Sequence, residues 1–385
     1  MIAKSIKGGS PEEIKSALNN AMANGYQPNV AVTFLSIKQD RKAICDILKQ
    51  ENIDILGATS CGEFINGHNS EGEAAILLLS LNPEAYTILS EEVKNSSVGD
   101  AAVNISKKAL QEFKNPAFVI CSTGVTSSAE FFDGESLIRG FEQVIGPNMT
   151  VFGGMAGDDA TFSGTYVFTH EMEGDHTIAT LVLDQDKVSL YGLANSGWNP
   201  VGITRTVTKC DGNIIYTIDG KPALDMGLKY LGETNLPSGD KYLLFEEYGL
   251  YYPFQIEREN RSPSMITLVS IMKEEQALVC DFPVAEGTEF KFSTPPEFDI
   301  VERVLDEARE LKEEQQAEAD ALLIFSCAGR VNSQGPMAQQ ENEGLSEIWN
   351  VPMAGMFSNA ELARATGGNL EMHNLTTCCV AMKEK

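Results

Sequence analysis

One pattern recurs three times along the chain and restricts its fold more than any other feature. An apolar strand ends in a small-residue loop, a helix follows, a second strand runs into a Gly/Ala/acid segment, and a further strand closes the unit. In the first copy Ala31-Val-Thr-Phe-Leu-Ser36 leads to Gly57-Ala-Thr-Ser-Cys-Gly-Glu63 and then Glu73-Ala-Ala-Ile-Leu-Leu-Leu-Ser80. In the second, Ala117-Phe-Val-Ile-Cys-Ser-Thr-Gly124 leads to Gly153-Gly-Met-Ala-Gly-Asp-Asp159 and then Thr177-Ile-Ala-Thr-Leu-Val-Leu183. In the third, Ala321-Leu-Leu-Ile-Phe-Ser-Cys-Ala-Gly329 leads to Ala354-Gly-Met-Phe-Ser-Asn-Ala-Glu361 and then Thr376-Thr-Cys-Cys-Val-Ala-Met382. Three irregular copies are too few for a solenoid, so they read as related units packed into one core. The expected class is α/β with α+β character: repeated strand-helix-strand-strand units form mixed sheets with helices packed on them, in two parts joined by a β-rich middle.

Local signals fill in this outline. Ser10-Pro11-Glu12-Glu13 supplies a hydroxyl cap, a proline at the first helical position and an acid three residues after the cap. The opening of the chain therefore reads as a helix with Ile14, Ala17, Leu18, Ala21 and Met22 on one face and Gly25 as its stop. A strand from Val30 to Leu35, a helix from Asp40 to Gln50 and a strand from Ile53 to Ala58 follow. Between copies two and three, Ser196 to Gly287 reads as short β segments, Thr204 to Cys210, Ile214 to Ile218, Met265 to Ile271 and Gln276 to Cys280, separated by turns. Asp219-Gly220-Lys221-Pro222 is a turn leading into a helix from Ala223 to Leu231, and Pro295-Pro296 precedes a helix from about Asp299 to Gln316, whose many acids read as a solvated face. The expected division is an N-terminal helix over 1–27, a first part over 28–219 and a second part over 220–385.

A net charge of −26 repels phosphate backbones and anionic lipid heads, which excludes nucleic-acid and membrane-surface partners. No secretory leader is legible, and the longest apolar run, Ala74 to Leu81, falls short of the roughly 20 residues that span a bilayer. The eight cysteines lie mostly in apolar runs and read as reduced, packed thiols of a cytoplasmic protein.

Standard catalytic and metal signatures are missing: no P-loop, no dinucleotide fingerprint, no His-Glu-x-x-His and no Cys-x-x-Cys, with four dispersed histidines. What remains are the three strand exits, carrying Thr59, Ser60, Cys61, Gly62 and Glu63; Gly157, Asp158 and Asp159; and Ser358, Asn359 and Glu361. Small residues there let a ligand approach the backbone, N–H groups can hold an anion, and carboxylates can hold an ammonium. A zwitterion such as an amino acid suits both. The plain alternative is that these residues cap helices and form turns. Cys61 with the Gly62 N–H has the form of a nucleophile beside an oxyanion site, lacking only a base, for which His373 is the best candidate. His373 is also the candidate axial ligand for a haem. The segments Trp198-Asn-Pro-Val-Gly202 and Tyr252-Pro253-Phe254 either line a pocket or pack where the two halves meet.

Taken together, Gly57-Ala-Thr-Ser-Cys-Gly-Glu-Phe64, Phe152-Gly-Gly-Met-Ala-Gly-Asp-Asp159, Ser196-Gly-Trp-Asn-Pro-Val-Gly202, Asp219-Gly-Lys-Pro-Ala223 and His373-Asn-Leu-Thr376 resemble the FIST family, a sensory domain of bacteria and archaea with an N-terminal and a C-terminal part. The resemblance runs from about residue 28 to about 380. It implies a non-enzymatic small-molecule input module for signal transduction, with amino acids as suggested ligands and no cofactor. With no kinase or cyclase segment in the sequence, it also implies action on a separate partner such as a histidine kinase. One branch of the family resembles this chain in length and binds haem to sense nitric oxide. A haem-dependent sensor using His373 is therefore the first alternative, and a thiol-dependent enzyme using Cys61 the second.

Overall fold

The computed structural model describes residues 1–93, 96–161, 163–232, 249, 251–258, 261–281, 283–294, 299–314, 318–364 and 370–385. The three copies become three six-stranded sheets built to one plan. In the first, Val30–Ser36 and Asp54–Ser60 run parallel, Ala74–Ser80 returns antiparallel beside the former, and Ile2–Gly8 forms the edge. The second repeats this with Pro116–Ser122, Thr150–Met155, Thr177–Asp184 and edge strand Tyr86–Glu92. The third uses Ala321–Cys327, Met353–Ser358, Thr377–Glu384 and edge strand Val188–Asn195.

The sheets are then locked together by exchange. After its second parallel strand, each unit sends a hairpin to another unit's sheet. Glu63–Ile65 and His68–Ser70 join the third sheet, Val167–Thr169 and Glu173–Gly174 the first, and Ala360–Arg364 and Leu370–His373 the second. The inner strand of each guest hairpin meets a glycine. Phe168 lies across from Gly57, Phe64 from Gly355 and Leu362 from Gly153. A Cβ on Gly57 would sit 2.0 Å from the Phe168 ring, so only glycine lets that ring lie flat on the strand.

The sheets face one another around a common core that includes Phe34, Leu56 and Leu77 from the first, Val119, Phe152 and Leu181 from the second, and Phe325, Met356 and Val380 from the third. Helices cover the outer faces: Pro11–Met22 and Arg41–Gln50, Val98–Glu112 and Gly134–Ile145, Ile300–Glu314 and Met337–Trp349. Buried on both faces, the inner strands are apolar almost throughout instead of alternating.

Several expectations need correction. The chain opens on a strand, Ile2–Gly8, with the expected helix following it. That strand carries Lys4 and Lys7 on a half-exposed edge and so lacks an apolar run. The β-rich middle is an insertion between the edge strand and first helix of the third unit. It forms one eight-stranded sheet with helix Ala223–Leu231 and its own core around Val207, Ile215, Phe254, Leu278 and Phe290. Position 220 falls in a turn inside this sheet, where Ile214–Ile218 pairs with Lys221–Pro222 across it. The expected strand from Met265 to Ile271 is broken at Thr267, whose N–H donates to Asp281 Oδ1 while its carbonyl accepts from the Asp281 N–H. The acidic helix is described over Ile300–Glu314; Pro295-Pro296 and residues 315–316 lie outside the described residues.

Candidate functional site

The three strand exits meet. Cys61 N–H donates to the Phe357 carbonyl and Phe357 N–H to the Gly62 carbonyl, both at 2.8 Å. Gly157 N–H donates to the Thr59 carbonyl at 2.8 Å, Asp159 N–H to the Ser60 carbonyl at 3.0 Å, and Asn359 N–H to the Met155 carbonyl at 3.0 Å. Backbone bonds thus join loop one to loop three, loop two to loop one and loop three to loop two. The packing is tight: a Cβ on Gly157 would lie 2.6 Å from Cys61 Sγ.

The carboxylates of these loops hold the loops themselves. Glu63 accepts from Ser60 Oγ at one oxygen and from the Glu73 N–H at 3.1 Å at the other. Glu361 repeats the arrangement, accepting from Ser358 Oγ at 2.7 Å and the Thr376 N–H at 3.3 Å. Each acid thereby ties its strand exit to the residue just before the returning strand. In the second loop the shorter Asp158 accepts from Ser163 N–H, Gly164 N–H and Thr161 Oγ1, while Asp159 binds Ser36 Oγ at 2.7 Å and Lys38 Nζ at 3.2 Å. Burial pushes Glu63 up to about 8, against the pull of its Ser60 and Glu73 partners, and drives Glu361 well above the usual carboxylate range for the same reason. Thr59 Oγ1 accepts from the Tyr166 N–H, fixing the guest hairpin.

Beside the junction lies a cavity of about 90 Å³, walled by Cys61, Gly124, Met155, Cys327, Asn359 and Leu375, among others. Of the expected site residues, Cys61, Ser358 and Asn359 line it, whereas Thr59, Ser60, Gly62, Glu63, Gly157, Asp158, Asp159 and Glu361 do not. Sequence reasoning missed Phe131 and Phe132, from the loop after the second unit's first parallel strand, and Thr267, Val269 and Asp281 from the inserted sheet. It also missed Asn374, although this residue stands inside the His373-Asn-Leu-Thr376 motif. Asn374 Nδ2 reaches across to the insertion, donating to the Met265 carbonyl at 3.1 Å and Asp281 Oδ2 at 2.9 Å. Trp198 packs with Met265, Cys327 and Leu375 at the same seam, so it joins the halves without lining the cavity. A wider groove of about 460 Å³ lies between Asp54, Tyr86 and His170, and no expected site residue lines it.

The catalytic and haem readings meet physical obstacles. Burial pushes the Cys61 thiol up to about 12, with nearby Asp158 and Asp159 adding to it and the Ala160 and Asp158 N–H groups opposing, so a thiolate is disfavoured. The thiol is directed toward Asn359 Oδ1 at 3.6 Å, and the ring of buried His373 lies with Nε2 3.1 Å from the Ala363 carbonyl. Axial coordination through Nε2 breaks that contact, and His373 does not line the cavity. His373 as it stands does not fit an axial haem ligand in this cavity. Among the described residues no cluster of His, Cys, Asp and Glu has the form of a metal site, and no helix is long and apolar enough to cross a membrane.

Threefold α/β layering around a loop junction defines the architectural class, and the comparisons give its family. The FIST N domain model matches residues 29–221 and the FIST C domain model residues 223–364. This chain belongs to the FIST family, whose role is sensory, in signal transduction. It is similar to an uncharacterized protein of Methanocaldococcus jannaschii, 26% identical over 340 residues, which cover 82% of this chain and 63% of that protein. The match thus spans less than two thirds of that relative's length.

Proposed function

We propose that this chain is a cytoplasmic, non-enzymatic receptor for a small molecule, that the ligand occupies the cavity beside the loop junction, and that occupancy is passed to a separate signalling partner such as a histidine kinase. One observation carries this reading: a single cavity is bounded at once by all three repeated units and by the inserted sheet. A molecule there touches both bodies, and any difference in its contacts between two spacings of those bodies shifts the balance between them. Asn374, bonded to Met265 and Asp281 across the seam, is the natural hinge pin of such a shift. Buried, unbridged cysteines such as Cys121, Cys280 and Cys378 suit a reducing compartment.

Trp198, one of two tryptophans and 4% exposed at this seam, serves as the reporter. In a Trp349→Phe background, its fluorescence is followed while amino acids and related metabolites are added, with thermal shift in parallel. The reading expects saturable changes in both signals that vanish when Val269→Phe fills the cavity without adding a second indole. Binding that survives Val269→Phe unchanged refutes the site assignment.

A further inference from the structure

Two side-chain amides, Asn359 and Asn374, line the cavity beside the loop junction, and their spare atoms are of opposite kind. Asn374 is 5% exposed. Its Nδ2 donates to the Met265 carbonyl at 3.1 Å and to Asp281 Oδ2 at 2.9 Å. A carbonyl can only accept, so the amide cannot be turned over without setting oxygen against oxygen. The atom left is Oδ1, a buried acceptor with no hydrogen-bond partner.

The orientation of Asn359 is set by Cys61. The thiol sulfur accepts from the Ala160 and Asp158 N–H groups, and burial keeps its proton on. What it has left to give is the S–H, directed to Asn359 Oδ1 at 3.6 Å. Nδ2 is thereby turned to Gly124, another wall residue, where an added Cβ would lie 2.7 Å from it. Among the described residues no acceptor takes up Asn359 Nδ2.

These two atoms sort ligands by hydrogen-bonding pattern. A carboxylate only accepts and would set oxygen against Asn374 Oδ1, whereas an ammonium only donates and would set N–H against Asn359 Nδ2. Either leaves one amide unmet, at a cost in free energy. No Lys, Arg or His stands among the described lining residues to offset an anion. Asp281, the one carboxylate there, already accepts from the Thr267 N–H at Oδ1 and from Asn374 Nδ2 at Oδ2. A hydroxyl or a primary carboxamide carries both a donor and an acceptor and meets both amides. Phe132, Met155 and Leu375 give the rest of the molecule an apolar wall.

We infer that the ligand is a neutral molecule with an apolar body and a hydroxyl or primary carboxamide head, which donates to Asn374 Oδ1 and accepts from Asn359 Nδ2. This rests on the cavity being the sensory site and narrows the ligand from amino acids and related metabolites to uncharged alcohols and amides.

Four probes on one branched carbon skeleton test it: isovaleramide, isoamyl alcohol, isovalerate and isoamylamine. Each is titrated against the full chain by calorimetry at neutral pH. The inference expects the amide or the alcohol to bind at least about tenfold more tightly than either ion, the tighter of the two naming the head group. Asn359→Asp keeps an oxygen for the Cys61 thiol and replaces the donor by an acceptor. It is expected to weaken that neutral probe by about tenfold, and Val269→Phe, which leaves both amides in place, to abolish binding. If Asn359→Asp does not fold, the probe order together with Val269→Phe decides. Isovalerate or isoamylamine binding as tightly as the neutral probes, with loss in Val269→Phe, overturns the neutral-head inference and leaves the sensory reading standing. Undiminished affinity in a folded Asn359→Asp does the same. Neutral-probe binding unaffected by Val269→Phe overturns both, and absence of neutral-probe binding overturns the inference.

Discussion

Replacing Glu63 by glutamine tests whether the loop acids are structural. Glu63 is fully buried, and burial raises its carboxyl from 4.5 to about 8. Below pH 4.5 the group is protonated in both the folded and unfolded chain. Between 4.5 and 8 the unfolded chain has released the proton while the folded chain keeps it, so stability falls as pH rises, and above 8 it levels off. At about 1.4 kcal/mol per pH unit the whole interval amounts to about 5 kcal/mol. Glutamine cannot ionise, keeps an acceptor for the Glu73 N–H and presents its amide to Ser60 Oγ. Urea unfolding of both proteins at pH 5, 6.5 and 8.5, followed by circular dichroism, should show near-equal stabilities at pH 5. By pH 8.5 the variant should be ahead by several kcal/mol. A difference that does not change with pH, or a variant that falls behind as pH rises, refutes the reasoning, since it means the ionised carboxylate is favoured where it stands.

Gly57→Ala should cost about 2–3 kcal/mol through collision with Phe168, read as a lowered urea midpoint. Phe168→Leu should recover part of it, whereas Phe64→Leu should recover less in Gly355→Ala, where the Ile324 carbonyl also lies 2.6 Å from the new Cβ. Glu341→Gln leaves the buried Arg330 charge uncompensated and should lose about 3–5 kcal/mol, while Arg330→Met with Glu341→Leu should lose less; equal losses contradict the pairing. Cys61, at about 12 against an ordinary 9.0, should react with iodoacetamide at pH 8 about a thousandfold more slowly than an exposed thiol, measured by mass spectrometry. A rate like that of free cysteine contradicts the raised pKa.

The layering was legible because strands buried on both faces leave long apolar runs, as in Ala74-Ala-Ile-Leu-Leu-Leu, and three such runs with matching exits imply a shared core. The helix Pro11–Met22 announced itself through Ser10 and Pro11. What stayed hidden were elements whose stability comes from partners far away in sequence. Ile2–Gly8 has no apolar run and is fixed by Ala74–Ser80, and the two- and three-residue hairpin strands are too short to show a period. At the site, likeness singled out the three loops without saying whether they meet, and of the two roles open to the acids the structure shows Glu63 and Glu361 bonded within their own units. The spacing Ser60-x-x-Glu63 and Ser358-x-x-Glu361 already carried the sign of acids satisfied locally. Asp281 and Asn374 reach the cavity only through the insertion's docking, which no local pattern encodes.

The most direct test of the account is a crystal structure of the chain soaked or co-purified with a small molecule that shifts Trp198 fluorescence. Electron density enclosed by Cys61, Asn359 and Asn374 is the predicted result. Density for that molecule in the groove by Asp54, Tyr86 and His170, with the loop junction's cavity empty, would contradict it.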